Sequence, residues 1–353
     1  MKGKRIILIG EADSKRTEFF LKAAVSQQVS VDFYTWSEWS TKNIEGGVVK
    51  IDPPSFHAYN ILTLSDKIKE YEEQLFELDE MGQKKGVRFL NPPAEILQLL
   101  DKVACKEKLQ KHHVAVTTMV AKQVRNYMEL KAFMMERKLY SVFLKPVYGS
   151  GAAGILALSM NPVKGNVVAY TAACIEDDVL FQQKNIRKIT EENEVERLVN
   201  AITSLETIVE RWYPKAMLEG EPFDFRVLWQ FGRMEYLVAR KSASPITNLH
   251  LNNGAVSLED VLHSKEIWNQ GDIQKEIEKL CEEAMTLFPR VNVAGLDVML
   301  DKKTGKPRII EINGQGDLLY QDIYGENRIY REQIMKMTGK DERGTQNGMA
   351  QCK

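Results

Sequence analysis

The sequence predicts an α/β protein whose strands are shared among several sheets, and three stretches carry that prediction. The first fifty residues alternate strand, helix and strand; a lysine-bearing strand at 141–146 runs into a glycine loop; and residues 294–313 read as an antiparallel hairpin with carboxylates on one face. With 353 residues, 44% of them hydrophobic, the chain has enough apolar material for a large core split into two or three domains or subdomains. Lys and Arg (48) balance Asp and Glu (49) at a formal net charge of -1, so no global basic field points to nucleic acid or to an anionic membrane. Cys105, Cys174, Cys281 and Cys352 lie far apart without CxxC spacing, which argues against a zinc site or a disulfide framework and for reduced thiols. The apolar run 6–9 is too short for a signal peptide, and no later run approaches the roughly 20 apolar residues of a membrane span, so the expected location is the cytoplasm.

In chain order, residues 4–10 read as a buried parallel strand ending at Gly10, and 14–27 as a helix with apolar spacing at Phe19, Phe20, Ala23 and Ala24. Strands at 29–34 and 47–51 follow, before Pro53 and Pro54 break the chain. Such a sheet binds ligands beyond the carboxyl ends of its strands, where Glu11, Asp13, Ser14, Lys15 and Arg16 would gather; Ser14 as a plain helix cap is the simpler reading of that turn. The G-x-G-x-x-G fingerprint is absent there, which disfavours a Rossmann oxidoreductase. Residues 61–85 form an amphipathic helix with Leu62, Leu64, Ile68, Tyr71, Leu75 and Leu78 inward, and 94–111 a helix with Asp101 and Lys102 in its middle.

A second, smaller α/β unit begins at Val114. Its strand 141–146 carries Lys145, then Gly149, Ser150, Gly151 and Gly154 lead to a further strand at 155–159. Small residues between two strands let backbone amides approach phosphate oxygens, and a lysine fixed at a strand end adds positive charge; a glycine-rich hairpin tip reads the same way. No G-K-[ST] closes the loop and no helix follows it, so it is not a P-loop. Strands at 167–175 and 179–183, a basic loop at 184–188 and a helix at 194–205 come next. The strand 207–212 then enters an extended segment where Glu210, Arg211, Trp212 and Tyr213 offer the backbone edge and apolar surround that an adenine ring needs. Strand 223–230 precedes one on which Tyr236, Val238 and Arg240 alternate, so that Arg240 ends beside the core, able to neutralise a phosphoryl group or to sit in an ion pair. A helix at 274–288 leads to the hairpin.

If that hairpin is symmetric about Thr304, Asp297 faces Glu311, Ile310 faces Val298 and Ile312 faces Leu296, with Asn313 on the side of Glu311. Three oxygen ligands on two rigid strands suit Mg²⁺ bridging phosphate oxygens, although a solvated hairpin face carries acids too.

Taken in order, Asp101-Lys102, Phe143-Leu144-Lys145-Pro146 before a glycine flap, Val209-Glu210-Arg211, Asp224-Phe225-Arg226, Ala239-Arg240 with Thr247-Asn248, Gly295-Leu296-Asp297 and Ile310-Glu311-Ile312-Asn313 resemble the ATP-grasp superfamily, in the branch of glutathione synthetase, D-alanine ligase and the ribosomal-protein glutamate ligases. The start of the chain, with Gly10, Ser14 and Arg16, also resembles a little-described bacterial subgroup of these proteins. The resemblance covers roughly residues 90–338. It implies two α+β subdomains gripping ATP, a small central one at 94–208 with the flap and a large one at 209–338, preceded by a small open α/β sheet domain at 1–93 and followed by a disordered tail at 339–353. It further implies that Lys102 and Lys145 contact ATP phosphates beneath a flap containing Gly149, Ser150, Gly151 and Gly154, that Glu210, Arg211 and Trp212 line the adenine pocket, and that Asp224 lies near ribose or phosphates. Arg240 and Asn248 would flank the transferred phosphate, and Asp297, Glu311 and Asn313 would hold Mg²⁺, two ions, with Mn²⁺ as a substitute.

The reaction so implied is an ATP-dependent ligation: a small-molecule or peptide carboxylate attacks the γ-phosphate to give an acyl phosphate and ADP, and an amine or thiol acceptor then displaces phosphate. A small-molecule kinase and a non-catalytic nucleotide-binding protein on the same fold are the competing readings. No nucleic-acid or membrane partner is expected, and relatives often self-associate. After Asn313 this chain reads Gly314-Gln315-Gly316-Asp317 where many relatives have small-small-Pro-Gly, so the pocket beyond the metal would take a different acceptor. Arg16, Lys15 and Arg88 are candidates for holding an acidic substrate, with ordinary surface charge as the simpler reading of each.

Overall fold

The computed structural model describes residues 5–56, 60–149, 151–247, 254–256, 261, 273–316 and 319–339, and within them the strands fall into three sheets. The first contains β1 (Arg5–Gly10), β2 (Val31–Thr35), β3 (Gly47–Ile51) and β4 (Arg88–Phe89), all parallel in the order β2-β1-β3-β4. Residues Ile6, Ile7, Leu8 and Ile9 are fully buried, as the unbroken apolar run of a strand covered on both faces requires. Helix α1 (Lys15–Ser26) starts at Ser14, whose hydroxyl accepts from the Arg16 amide, so this serine is the cap that the turn suggested.

Helix α2 (Ile61–Lys85) covers the predicted span, and its inward residues are Ile61, Leu64, Ile68, Tyr71, Leu75 and Leu78. Leu62, expected in that stripe, is 40% exposed. The alternating steps of three and four from Ile61 keep one face in register, and Leu62 falls about 100° to the side. The helix serves two cores: Ile61, Leu64 and Ile68 pack with the second sheet, whereas Tyr71, Leu75 and Leu78 pack under the first. Gly86, in the left-handed region at φ 62°, ends it.

The helix expected at 94–111 is two helices, α3 (Pro93–Leu100) and α4 (Lys102–Lys111). Asp101 breaks them: its extended backbone ends α3, while its carboxylate accepts from the Val103 and Ala104 amides and starts α4. A continuous apolar pattern hid the break, because an aspartate is a weak helix-interior residue and a strong cap. Asp101→Ala is expected to cost about 1 kcal/mol, read as a lower urea midpoint at unchanged slope.

The second sheet comprises β5 (Met119–Lys122), β6 (Ser141–Pro146), β7 (Leu156–Met160), β8 (Val167–Glu176), β9 (Val179–Ile189) and β10 (Thr207–Arg211), with α5 (Tyr127–Glu136) and α6 (Glu192–Ile202) packed on it. Its order is β5-β10-β6-β7-β8-β9, antiparallel throughout. The basic stretch 184–188, expected as a loop, belongs to β9: beyond an irregularity in the ladder, Arg187 and Lys188 pair with Thr171 and Tyr170. Solvated lysines and arginines on a sheet edge mask a strand in the sequence.

The third sheet runs β14-β13-β12-β15-β16, from β12 (Glu221–Gln230), β13 (Arg233–Lys241), β14 (Gly254–Val256), β15 (Val293–Leu300) and β16 (Pro307–Asn313), with β11 (Met217–Leu218) attached to β12. Helix α7 (Ile273–Met285) buries Ile277, Leu280, Cys281 and Ala284 in the core beneath it. The chain then finishes its described part with α8 (Tyr320–Ile323) and α9 (Arg328–Thr338), whose Ile329, Tyr330, Ile334 and Met337 share a core with Phe19, Phe20 and Ala23 of α1. In the hairpin, Asp297 faces Glu311 and Leu296 faces Ile312 as expected, but Val298 faces Ile309 rather than Ile310. Ile309 and Ile312 are both buried although three residues apart, an odd separation that one face of a strand accommodates only through a bulge.

Among the described residues no helix is long and apolar enough to cross a membrane, and Cys105, Cys174 and Cys281 are free and buried. Cys352 and the tail from 340 lie outside the described residues.

Candidate functional site

Three strands carry the carboxylate end of the site. β12 pairs with β15, and β15 with β16, so Arg226 lies opposite Asp297 and Asp297 opposite Glu311. Arg226 Nη1 donates to Asp297 Oδ1 at 2.6 Å, and Arg240 Nη2, on the far side of β12, reaches the same oxygen at 3.1 Å. Gly295 faces Asn313, whose side-chain amide donates to the Gly295 carbonyl at 3.5 Å. Lys102 Nζ stands 3.6 Å from Glu311 Oε1. Desolvation in the cleft would raise the Glu311 carboxyl, but Lys102, Lys145 and Arg226 outweigh it and hold it below the ordinary range. Burial likewise opposes the Arg240 guanidinium, yet Asp224 and Asp297 hold it above its ordinary value.

Lys102, first residue of α4, also donates to the carbonyls of Val147 at 3.3 Å and Gly149 at 3.1 Å, so it joins the glycine loop to the hairpin. In that loop Gly151 and Gly154 have φ of 63° and 70°, and a Cβ at Gly154 would lie 2.8 Å from Pro146 Cγ; only glycine fits there. Ser150 lies outside the described residues, as does Asn248.

Lys145, on β6, donates to Glu210 Oε2 at 2.9 Å across the β6–β10 pair. Glu210 is 1% exposed, and its carboxylate also meets Lys106 Nζ at 3.1 Å and accepts from the Thr117 hydroxyl at 2.8 Å. Burial pushes such a carboxyl up, but Lys106 and Lys145 overcome it and hold Glu210 at about 2. The same burial lowers Lys106 to about 8 against the pull of Glu210. Lys106 was missed in the sequence, although Lys102, Cys105, Lys106 and Leu109 make the i, i+3, i+4, i+7 stripe of a buried helix face, and lysines on such a stripe are the signal.

The adenine candidates divide. Trp212 packs with Phe143, Tyr170 and Ile246 in an apolar nest, its ring centroid 5.3 Å from that of Phe143. The amides of Arg211 and Trp212 already donate to the Thr118 and Ser141 carbonyls, and the Arg211 guanidinium lies over Tyr213. Asp224 is also engaged: it is 1% exposed and accepts from Arg240 Nε at 2.8 Å, from Lys215 Nζ at 2.9 Å and from the Thr247 hydroxyl. Lys215, the second residue missed in the sequence, is half-buried with its side chain 9% exposed, and desolvation pulls its ammonium down. The amino-terminal basic residues bind protein groups: Arg16 donates to the carbonyls of Gln315 at 2.9 Å and Gly316 at 3.4 Å, and Lys15 to the Tyr324 hydroxyl at 2.8 Å. Arg88 is exposed.

Between the glycine loop and the hairpin, Lys102, Lys106, Lys145, Lys215, Arg226 and Arg240 therefore stand against Glu210, Asp224, Asp297 and Glu311, six cations against four anions in a chain that is nearly neutral overall. Such a local surplus of positive charge attracts anions.

A family model described as YheC/D like ATP-grasp matches residues 88–335. The chain belongs to this ATP-grasp family. No curated protein matches it in sequence. Among solved structures it is similar to the D-cycloserine synthetase DcsG, at 13% identity and a TM-score of 0.59 over 94% of this chain and 98% of the other. It is similar to a RiPP-associated ATP-grasp ligase of Chryseobacterium gregarium, solved with ADP and a leader and core peptide, at 14% identity and 0.59 over 96% and 97%. A D-alanine–D-alanine ligase of Bacillus anthracis shares 11% identity at 0.54 over 95% and 96%. At these identities the likeness is one of fold, and it extends over nearly the whole of each chain, the amino-terminal sheet included. The glycine loop belongs to the second sheet and the carboxylate hairpin to the third, and Lys102 links the two.

Proposed function

We propose that this ATP-grasp protein is an ATP-dependent ligase that joins a carboxylate to an amine, or to a thiol, through an acyl phosphate, with release of ADP and phosphate. The observation that supports this reading most is the cationic cleft between a glycine loop and a pair of facing carboxylates, Asp297 and Glu311. The donor set suits a hard cation: two carboxylates with an amide oxygen from neighbouring strands match Mg²⁺ that keeps several waters. Asp297, Glu311 and Asn313 would hold Mg²⁺, which when bound neutralises charge on the phosphate oxygens.

The residues divide the remaining work. Lys102 and Lys145 would take the phosphates, with Lys102 exchanging its carbonyl partners in the glycine loop for phosphate oxygens. That exchange would free the loop to fold over the nucleotide and keep water from the acyl phosphate. The apolar nest around Trp212 would receive the adenine ring. Arg240, fixed at both ends by Asp224 and Asp297, needs no reorganisation to meet charge developing on the transferred phosphoryl group. The reaction needs no side-chain nucleophile, because the substrate carboxylate attacks and the acceptor displaces phosphate.

Incubation of the full chain with ATP, Mg²⁺ and a panel of small-molecule and peptide carboxylates, with amines or thiols, is expected to yield ADP and free phosphate in equal amounts with one condensed product. ADP with a stable phosphorylated product and no free phosphate would instead establish a kinase. Nucleotide binding without turnover across the panel would favour a regulatory protein.

A further inference from the structure

The Lys106–Glu210–Lys145 trio is more heavily built than a single phosphate-binding lysine requires. Lys145 alone beside Glu210 would make a closed, neutral pair, and an incoming phosphate would find its ammonium already satisfied. Lys106 changes the sum. It comes from α4, a different element, takes the other carboxylate oxygen at 3.1 Å, and is itself fixed by the Thr117 carbonyl at 3.0 Å. All three residues are at most 5% exposed, so solvent does little to screen the balance.

We propose that Lys106 is a positioning residue: by neutralising Glu210 it leaves the charge of Lys145 available to a bound phosphate, and so sets the affinity of the cleft for nucleoside polyphosphates. This rests on the cleft being a nucleotide site. A merely structural lysine would satisfy Glu210 and nothing more, and the two roles part in a double variant. Lys106→Met leaves Lys145 closed in a neutral pair with Glu210; Lys106→Met with Glu210→Gln removes one charge of each sign and leaves Lys145 cationic.

The measurement is calorimetric titration of ADP with Mg²⁺ into the full chain. Lys106→Met is expected to weaken ADP at least about tenfold, and the double variant to recover to within about threefold of the parent protein. Burial lowers the Lys106 ammonium to about 8, so the parent protein should lose affinity as pH rises above neutrality. Four charged or titratable groups face Lys106. Glu210, at about 2, and Cys105, pushed up to about 12 by burial, keep their states through that window, while Glu311 is held below the ordinary range and Lys145 lies across the shared carboxylate. Lys106→Arg should bind ADP with no such pH dependence.

Equal affinity in the parent and Lys106→Met, or a double variant no tighter than the single one, overturns the inference. Should Lys106→Met not fold, the variants that keep the charge balance decide: the double variant and Lys106→Arg should each bind ADP within about threefold of the parent, and a loss above about tenfold in both overturns it. A parent protein that fails to bind ADP at all defeats the nucleotide-site reading instead, which keeps the two failures distinct.

Discussion

Asp297→Asn is expected to reduce ADP release by roughly 10²–10³-fold while ADP binding measured in EDTA stays equal or tightens. The two effects have opposite signs because the carboxylate has two kinds of partner. As a metal ligand it would be needed for every turnover. As an acceptor it engages Arg226 at 2.6 Å and Arg240 at 3.1 Å, and a neutral amide returns part of that positive charge to the cleft. Glu311→Gln should behave alike, since Lys102 is the cation it would release. Turnover within a few-fold of the parent in both variants would remove the hairpin from the chemistry and the ligase reading with it.

Asp224→Ala is expected to be the most destabilising single change in the site, at about 3–5 kcal/mol, because it leaves Lys215 without an anion and Arg240 with Asp297 alone. Urea unfolding at pH 7 measures it. Burial alone would raise this carboxyl, but Arg240 and Lys215 hold it below its ordinary value. A depressed carboxyl stabilises the fold above the pKa of the unfolded chain and loses that contribution as pH falls through the folded value, so the deficit of the variant should persist across neutral pH and shrink only in acid. Combining Asp224→Ala with Lys215→Met should recover part of the loss, since one stranded charge disappears. A cost below about 1 kcal/mol for Asp224→Ala would mean that water reaches the cluster and that Arg240 is not held rigidly.

How far the sequence reveals this arrangement varies from residue to residue. Alternation placed Asp297 opposite Glu311, because side-chain period in a strand is a local property that a buried face enforces. It failed one pair further on, at Val298, where two core isoleucines an odd number of residues apart demand a bulge that no local pattern announces. The helix break at Asp101 was encoded by a good cap within an apolar period, and the period alone points the wrong way. Glu210 and Asp224 are charged residues on strands; that both would be fully buried against lysines depends on α4 and on the Tyr213–Pro222 segment folding back, contacts the linear chain does not display. Lys106 was readable in principle from its helical stripe, whereas Lys215, in an irregular segment, has no such signature.

Helix α2 has a mechanical consequence. Its 25 residues span about 37 Å, rooted at one end in the core of the flap-bearing sheet and at the other beneath the amino-terminal sheet. A stiff rod set in two foundations transmits tilt: a rotation of 10° at the flap end displaces the far end by about 6 Å. Shutting the nucleotide in would thus swing the amino edge of β1 and β3, beside which α2 ends, with compliance confined to the joints, Gly86 among them. On the proposed function, the first ninety residues would then be geared to the grip on the nucleotide rather than appended to it.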